Sequence, residues 1–229
     1  MKIGGLQKTS LIDYPGKICC IIFTQGCNFR CPYCHNPELV LPELFSPSIE
    51  EEEIFSFLEK RKKYLDGVSI TGGEPCIHKD ILAFLEKVKN IGYSVKLDTN
   101  GYFPKIIKEA IKRRIVDYIA MDIKGPIEKY SEIAGVKVDV SRILKSIELI
   151  KESGIEYEFK TTIVKSQLSK EDFEKIGEMI KGASLYFLQK FKPSKTVKPD
   201  FINEETYSEE EFEQIKEIMG KYVKECKIR

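Results

Sequence analysis

The sequence predicts an α/β protein in which a parallel sheet forms a partial, TIM-like barrel of six βα units, with residues 1–229 as a single domain. Two observations indicate this fold. Apolar runs of strand length alternate with amphipathic segments of helical period along nearly the whole chain. Unusual polar residues follow the apolar runs directly, where parallel sheets carry their ligand sites. An open flavodoxin-like sheet would show a similar periodicity.

Six strands and six helices are predicted in alternation. The strands are expected at residues 18–24, 67–71, 94–98, 118–123, 157–163 and 185–189. The helices are expected around residues 54–58 and 81–88, and at 104–113, 140–153, 170–181 and 208–224. Ser208 and Glu211 have the spacing of a capping box, and the acidic residues 50–53 suit a first helical turn.

Composition and charge restrict the classes of partner. The chain has 37 Lys and Arg residues against 36 Asp and Glu residues, which leaves a formal net charge of +1. Such a balance lacks the basic footprint of proteins that bind nucleic acid or anionic membranes. No segment reaches about 18 consecutive apolar residues, and the first residues contain no apolar signal region. We therefore expect a cytoplasmic protein with no nucleic-acid partner and no membrane partner.

Three of the seven cysteines, Cys27, Cys31 and Cys34, form a CxxxCxxC pattern after the first predicted strand. Without an export signal, this clustering favours reduced thiols that hold a metal. A [4Fe-4S] cluster normally takes four thiolates, so three would leave one iron open to another ligand. Zinc with His35 or His78 as the fourth ligand is the alternative. The remaining cysteines are expected to be structural: Cys19, Cys20, Cys76 and Cys226.

Four polar clusters follow four successive predicted strands. They are the cysteine segment 27–34, the GGEP segment 72–75, the DTNG segment 98–101, and the pair Asp122 and Lys124. Because the carboxyl ends of parallel strands meet at one edge, we expect these clusters to converge on one cavity.

In this combination the sequence resembles the radical S-adenosylmethionine (SAM) superfamily. The hallmark of that family is CxxxCxxC with an aromatic residue, here Tyr33, before the third cysteine. The other three clusters follow in the order in which the family places its cofactor contacts. The segments TQGC (24–27), CHNP (34–37) and DYPG (13–16) resemble the activating enzymes of glycyl-radical enzymes. The likeness is to activators of anaerobic ribonucleotide reductase and, more distantly, to pyruvate formate-lyase activase.

This resemblance implies a radical SAM core with a [4Fe-4S] cluster on Cys27, Cys31 and Cys34, and with SAM chelating the open iron. It implies reductive cleavage of SAM to a 5′-deoxyadenosyl radical that installs a glycyl radical on a partner enzyme. The electron donor would be a flavodoxin or a ferredoxin-type protein. Alternatives are a radical SAM enzyme that acts on a small molecule, such as a nucleobase or cofactor precursor, and an iron-sulfur or zinc scaffold without catalysis.

The resemblance also implies contacts with SAM. Tyr33 would pack against adenine, and Gly72 and Gly73 would let the backbone approach the cofactor. Glu74 would accept a hydrogen bond from the SAM ammonium group. The structural alternatives are a core tyrosine and an ordinary Gly-Gly turn.

Other implied contacts involve charged residues. Asp98, Thr99 and Asp122 match positions that in pyruvate formate-lyase activase help to bind a monovalent cation beside the SAM carboxylate. Lys124 would pair with that carboxylate. Asp13 matches a segment near the substrate glycine loop. The structural alternatives are that Asp98 and Asp122 cap turns and helices and that Lys124 is a solvated lysine.

Overall fold

Eight strands form one sheet in the computed structural model, which describes all residues from 1 to 229. The strands are β1 (Ile3–Ser10), β2 (Cys19–Thr24), β3 (Gly67–Gly72), β4 (Ser94–Thr99), β5 (Tyr118–Asp122), β6 (Glu156–Ile163), β7 (Tyr186–Lys190) and β8 (Cys226–Ile228). The α-helices are α1 (Pro37–Val40), α2 (Glu51–Arg61), α3 (Ile81–Ile91), α4 (Pro104–Lys112), α5 (Tyr130–Ile133), α6 (Val140–Lys151), α7 (Lys170–Met179) and α8 (Glu209–Met219). Short 3-10 turns lie at Pro42–Leu44, Pro75–Ile77, Ile127–Lys129 and Pro199–Asn203.

The strands are hydrogen-bonded in the order in which they occur in the sequence, from β1 to β8. The β1–β2 pair is antiparallel, and every later pair is parallel. A flavodoxin-like sheet reverses its strand order at a switch point, so the unbroken order excludes that alternative. The two edge strands, β1 and β8, do not pair with each other. The predicted partial barrel is therefore confirmed, with an open seam between its edges.

The six predicted strands correspond to β2 through β7, and the six predicted helices correspond to α2, α3, α4, α6, α7 and α8. The prediction missed β1, whose sequence IGGLQKTS contains two glycines and polar residues and forms a strand by pairing with β2. It also missed the three-residue strand β8, which pairs with β7. Helices α1 and α5 have four residues each and are too short to show a period.

Local sequence explains where the helices begin and end. The predicted capping box of α8 is present, because Ser208 and Glu211 bond to each other's backbone N–H groups. The three glutamates 51–53 occupy the first turn of α2 as predicted. Helix α3 ends at Gly92, whose φ of 106° is left-handed. No helix of the chain combines the length and apolar composition that a bilayer crossing requires.

Two groups of buried apolar side chains lie on opposite faces of the sheet. A cluster of 51 residues, which includes Cys20, contains the apolar faces of the helices. A smaller cluster consists of Tyr14, Cys19, Tyr118 and Ala120. The adjacent residues Cys19 and Cys20 therefore point to opposite faces, as predicted from the alternation of side chains along a strand.

The inner face of the barrel is polar between this small cluster and the carboxyl ends of the strands. Glu158 is 1% exposed; it accepts a hydrogen bond from the Tyr118 hydroxyl at 2.8 Å and one from Arg229 at 3.1 Å. The Arg229 guanidinium also lies 3.7 Å from the centroid of the Phe187 ring. The polar lining continues toward the carboxyl ends of the strands with three buried residues: Ser69, Lys96 and Asp98.

Candidate functional site

A cavity of about 220 Å³ opens at the carboxyl ends of the parallel strands. Its walls come from the loops after β2, β3, β4 and β5 and from the end of β6. Eleven of the predicted site residues line it: Cys27, Cys31, Tyr33, Cys34, Gly72, Gly73, Glu74, Asp98, Thr99, Asp122 and Lys124. The four predicted clusters therefore meet in one place.

The cysteine loop follows β2 and is held by backbone contacts. The guanidinium of Arg30 donates to the Cys27 carbonyl at 2.6 Å and to the Phe29 carbonyl at 2.8 Å. The Arg30 N–H donates to the carbonyl of Ala134 at 2.8 Å, which fastens the loop to the segment after α5. The Cys27 thiol accepts a hydrogen bond from the Phe29 N–H at 3.3 Å. Three thiols are thereby presented to the cavity on a constrained loop.

The three thiols differ from exposed cysteines in their acidity. Burial raises the pKa of Cys27 to about 12 and that of Cys31 to about 11, and it also raises the pKa of Cys34. They are therefore protonated at neutral pH until a metal displaces the protons. Three soft sulfur ligands around one cavity fit a cluster that takes three protein thiolates.

The zinc alternative needs a histidine beside the three thiols, and of the two histidines only His35 lines the cavity. No group of three or more His, Cys, Asp or Glu side chains converges as a single metal ion would require. His35 stacks on Phe191 with 5.2 Å between ring centroids, and its Nε2 atom is buried without a partner. His78 lies outside the residues that line the cavity. A cubic cluster, by contrast, holds its thiolates at separate corners.

Gly72 and Gly73 lie where the loop after β3 crosses the segment that enters the cysteine loop. Gly72 has a φ of 111°, and a Cβ on Gly73 would lie 2.0 Å from the Gly26 carbonyl oxygen. The N–H groups of Gly73 and Glu74 donate to the carbonyls of Thr24 and Gly26, both at 2.8 Å. These two donors bond within the protein and are not free for a ligand. The close backbone approach by itself requires glycine at position 73.

Glu74 connects two of the predicted clusters. Its side chain is almost fully buried and accepts hydrogen bonds from the Cys76 N–H at 2.9 Å, the Thr99 hydroxyl at 2.8 Å and the Asn100 N–H at 2.6 Å. Burial raises the pKa of Glu74, and these donors act against that rise. A carboxylate offers about four acceptor positions, so one remains for a further donor in the cavity.

Two lysines hold the carboxylate of Asp98 on the inner face of the barrel. Lys160 Nζ lies 2.7 Å from Oδ1, and Lys96 Nζ lies 2.5 Å from Oδ2. Burial opposes ionisation, but the two ammonium groups outweigh it and lower the pKa of Asp98 to about 2. Asp98 is therefore an anion at neutral pH.

A second ion pair faces the same cavity. Lys124 Nζ lies 3.4 Å from a carboxylate oxygen of Asp122 and 5.9 Å from the centroid of the Tyr33 ring. Burial disfavours the ammonium of Lys124, but the nearby Asp122 and Tyr33 raise its pKa well above the ordinary value. The Tyr33 hydroxyl is buried without a hydrogen-bond partner. The cavity thus contains a fixed cation beside an unpartnered aromatic hydroxyl.

Asp13 lies apart from the other predicted site residues and does not line the cavity. It accepts a hydrogen bond from the Ser10 hydroxyl in the loop between β1 and β2. The neighbouring Tyr14 packs against Tyr118, with ring centroids 5.9 Å apart, and against Gly67. Tyr118 and Gly67 begin β5 and β3, so this loop lies at the amino ends of the parallel strands.

Among the polar residues that the sequence did not assign to the site, Asn100 and Lys160 line the cavity, and Lys96 holds Asp98 from below it. The Asn100 side chain donates to Asn28 Oδ1 at 2.9 Å and lies 4.0 Å from the Cys27 sulfur. Its place in the DTNG segment was a usable signal. Lys96 and Lys160 carried no such signal in the sequence, because a lysine within a strand ordinarily points to solvent.

The fold and the cavity define a partial-barrel α/β protein that presents three thiols at the carboxyl ends of its strands. The family model for the radical SAM superfamily matches residues 21–180. The chain belongs to this superfamily, whose members use an iron-sulfur cluster and SAM.

Three curated relatives illustrate the similarity. A Methanocaldococcus jannaschii protein named "putative glycyl-radical enzyme activating enzyme" is 35% identical over 232 residues, covering 99% of this chain and 95% of its own length. The pyruvate formate-lyase-activating enzyme of Clostridium pasteurianum is 31% identical, covering 79% of this chain and 76% of its own. The 7-carboxy-7-deazaguanine synthase of Thermococcus kodakarensis is 26% identical, covering 73% and 72%.

A solved structure supports the fold. Streptococcus suis SuiB bound to S-adenosylmethionine superposes with a TM-score of 0.70 at 16% identity over 91% of this chain. This chain spans about half the length of SuiB, at 49%. The partial-barrel fold of this chain is therefore also present in part of a longer protein.

Proposed function

We propose that this protein is a glycyl-radical enzyme activase in which residues 1–229 act as one radical SAM domain. It would cleave SAM reductively at a [4Fe-4S] cluster and install a glycyl radical on a partner enzyme such as an anaerobic ribonucleotide reductase. The observation that carries this proposal is the similarity, over 99% of the chain, to a relative whose name states that activity. The convergence of the thiols and the GGEP and DTNG segments on one cavity supports it.

The cluster would be held by Cys27, Cys31 and Cys34, which line the cavity and leave no fourth thiol there. When bound, the cluster and SAM supply a one-electron cleavage that yields methionine and a 5′-deoxyadenosyl radical able to take a hydrogen atom from a glycine. The constrained loop around Arg30 keeps the three sulfurs facing the cavity. Their high pKa values mean that loading the cluster releases protons.

Three other side chains would bind SAM. Glu74 retains an acceptor position for the ammonium group, since only three donors occupy its carboxylate. Lys124 carries a positive charge for the SAM carboxylate, and the Tyr33 ring offers an apolar surface for adenine. We do not include a monovalent cation, because Asp98 already accepts hydrogen bonds from two lysine ammonium groups.

The partner glycine would approach through the seam between β1 and β8, because buried Tyr118 and Glu158 fill the barrel toward the amino ends of the strands. The loop that contains Asp13 lies at the amino ends of the strands, and the seam between β1 and β8 leaves the barrel wall open. Asp13 would contact the glycine loop of the partner there. A flavodoxin or a ferredoxin-type protein would supply the electron.

The test is deuterium transfer from a defined glycine. An anaerobic ribonucleotide reductase labelled with Cα-dideuterated glycine is incubated anaerobically with the reconstituted, reduced protein and SAM. We expect deuterium in the released 5′-deoxyadenosine and a carbon-centred radical signal in the partner by electron paramagnetic resonance. Neither should occur with Cys31→Ala. Release of 5′-deoxyadenosine without deuterium, for every glycyl-radical enzyme tried, would contradict an activase.

A radical SAM enzyme acting on a small molecule is the second candidate, favoured by the 26% identity to 7-carboxy-7-deazaguanine synthase. The same assay separates the two, with purine nucleotides and pterins in place of the protein. A small-molecule enzyme would accelerate 5′-deoxyadenosine release with one of these compounds and leave the glycine label in the protein.

A further inference from the structure

Three protein donors surround the carboxylate of Asp98, and two of them are lysine ammonium groups. Lys160 Nζ donates to Oδ1 at 2.7 Å, Lys96 Nζ donates to Oδ2 at 2.5 Å, and the Ser69 hydroxyl lies 3.3 Å from Oδ2. The side chains of Lys96, Asp98 and Lys160 are 6%, 10% and 15% exposed. Each carboxylate oxygen therefore holds an ammonium group where water has little access.

Strand register explains how Lys160 reaches this position. It pairs with Asp122 across β5 and β6, while Asp98 pairs with Ala120 across β4 and β5. Strands β4 and β6 are separated by β5, so Lys160 reaches Asp98 by crossing the concave face. Burial disfavours the Lys160 ammonium, but Asp98, whose Oδ1 lies 2.7 Å away, and Asp122 raise the pKa of Lys160 above its ordinary value.

A monovalent cation at this place would need Asp98, Thr99 and Asp122 as oxygen ligands. In this structure Asp98 is bound by the lysines, and the Thr99 hydroxyl donates to Glu74 at 2.8 Å. Asp122 faces Lys124 at 3.4 Å and is the strand neighbour of Lys160. The donor set does not fit a free cation, because both of its carboxylates already face side-chain ammonium groups.

We propose that the ammonium group of Lys160 takes the place of the monovalent cation, so that this protein binds SAM without K⁺ or Na⁺. The inference rests on the proposed function for the identity of the ligand. An ammonium group and a potassium ion both carry one positive charge, and both bind carboxylate oxygens. The lysine charge is tethered to β6, so it need not be recruited from solution.

The first test compares SAM binding in different salts. Isothermal titration calorimetry of the reconstituted protein is run in KCl, NaCl and tetramethylammonium chloride at equal ionic strength. The wild type should bind with dissociation constants that agree within about twofold across the three salts. A weakening of about tenfold or more in tetramethylammonium would overturn the proposal, because it would show that a small cation is needed.

The second test removes the tethered charge. Lys160→Met should weaken SAM binding about tenfold in tetramethylammonium, and K⁺ or Na⁺ should restore most of that loss. Binding that stays weak in all salts, or that is unchanged in tetramethylammonium, would overturn the proposal. Lys129→Met is the matched control, because Lys129 pairs with Asp172 at 2.6 Å and neither residue lines the cavity. The dissociation constant of this control variant for SAM should be as independent of the salt as that of the wild type.

A third measurement needs no SAM and separates this inference from the proposed function. The melting temperature of the Lys160→Met variant should rise by about 3 to 5 °C when KCl replaces tetramethylammonium chloride, since K⁺ then binds the native state. The wild type should change by less than about 1 °C in the same exchange. If the wild type fails to bind SAM, the proposed function fails, and these melting temperatures still decide the role of Lys160. The proposal for Lys160 would be overturned if the melting temperature of Lys160→Met did not change between the two salts. It would also be overturned if the melting temperature of the wild type rose in KCl.

Discussion

The carboxylate of Glu74 accepts a 2.6 Å hydrogen bond from the backbone N–H of Asn100. This bond joins the loop after β3 to the loop after β4, which are separate in sequence and adjacent in the sheet. The same carboxylate also binds the Thr99 hydroxyl and the Cys76 N–H. One buried side chain therefore fixes the relative position of two walls of the cavity.

Glu74→Gln should destabilise the protein. Three donors surround the carboxylate, and a glutamine would place an NH₂ donor against one of them in a buried position. We expect a loss of about 1–3 kcal/mol in the free energy of unfolding, measured by urea denaturation. The control is Glu178→Gln on the exposed face of α7, which should change the value by less than about 0.5 kcal/mol. Equal effects for the two variants would contradict the structural role of Glu74.

Gly73→Ala should be more costly than an ordinary glycine substitution. The new methyl group would lie 2.0 Å from the Gly26 carbonyl oxygen, and the nearest atoms that it would meet all belong to the backbone of Gly26 and Leu39, which cannot rotate away. We expect destabilisation of about 3 kcal/mol by the same urea assay. Gly5→Ala is the matched control, because its Cβ would meet only Phe23 at 3.5 Å, an ordinary contact. That variant should stay within about 0.5 kcal/mol of the wild type, and a similar result for Gly73→Ala would disprove the close approach.

Asp98 should make the protein sensitive to acid. Its pKa is lowered from 3.8 to about 2 in the folded state because Lys160 and Lys96 outweigh the effect of burial. A lowered pKa stabilises the folded state above pH 3.8, and this contribution disappears as the pH falls through about 2. The stability difference between the wild type and Asp98→Asn should shrink by about 2 kcal/mol between pH 5 and pH 2. A difference that is independent of pH would show that Asp98 is not ionised by this pairing.

Cys31→Ala should prevent assembly of the iron-sulfur cluster, because it removes one of the three thiols that line the cavity. After anaerobic reconstitution we expect about four irons per chain in the wild type and fewer than about one in this variant. Cys226→Ala is the control, since Cys226 lies in β8 outside the cavity and should not change the iron content. A normal iron content in Cys31→Ala would contradict the assignment of Cys27, Cys31 and Cys34 as the cluster ligands.

The parallel strands could be predicted because their apolar residues occur at strand spacing, in nearly continuous runs in β2 and β5 and in alternation with polar residues in β4 and β6. The polar clusters could be placed because they follow those runs directly. What could not be predicted from local pattern was the strand β1, where Gly4 and Gly5 weaken the strand signal and pairing with β2 supplies the structure. The unbroken strand order, which distinguishes the barrel from a flavodoxin-like sheet, also depends on tertiary pairing.

The lysines of the site show the same limit more sharply. Lys96 lies two residues before Asp98, but Lys160 is 62 positions away in sequence. Only the register of β5 with β6 brings Lys160 next to Asp122 and across to Asp98. The expectation of a monovalent cation came from the residue types at positions 98, 99 and 122. Those residue types do not show that the Asp98 carboxylate is already paired with two lysines.

The strand order also bears on how the chain assembles. Each parallel strand is hydrogen-bonded to the strand made just before it, so the sheet can grow one unit at a time without a strand having to insert between two that are already joined. The GGEP and DTNG segments precede β5, whereas the carbonyls of Cys34 and Pro32 in the cysteine loop accept hydrogen bonds from the N–H groups of Val197 and Lys198, which follow β7. Until β6 arrives with Lys160, the Asp98 carboxylate lacks one of its two ammonium partners. The charge balance in the cavity and the last backbone contacts of the cysteine loop thus both depend on parts of the chain that follow β5.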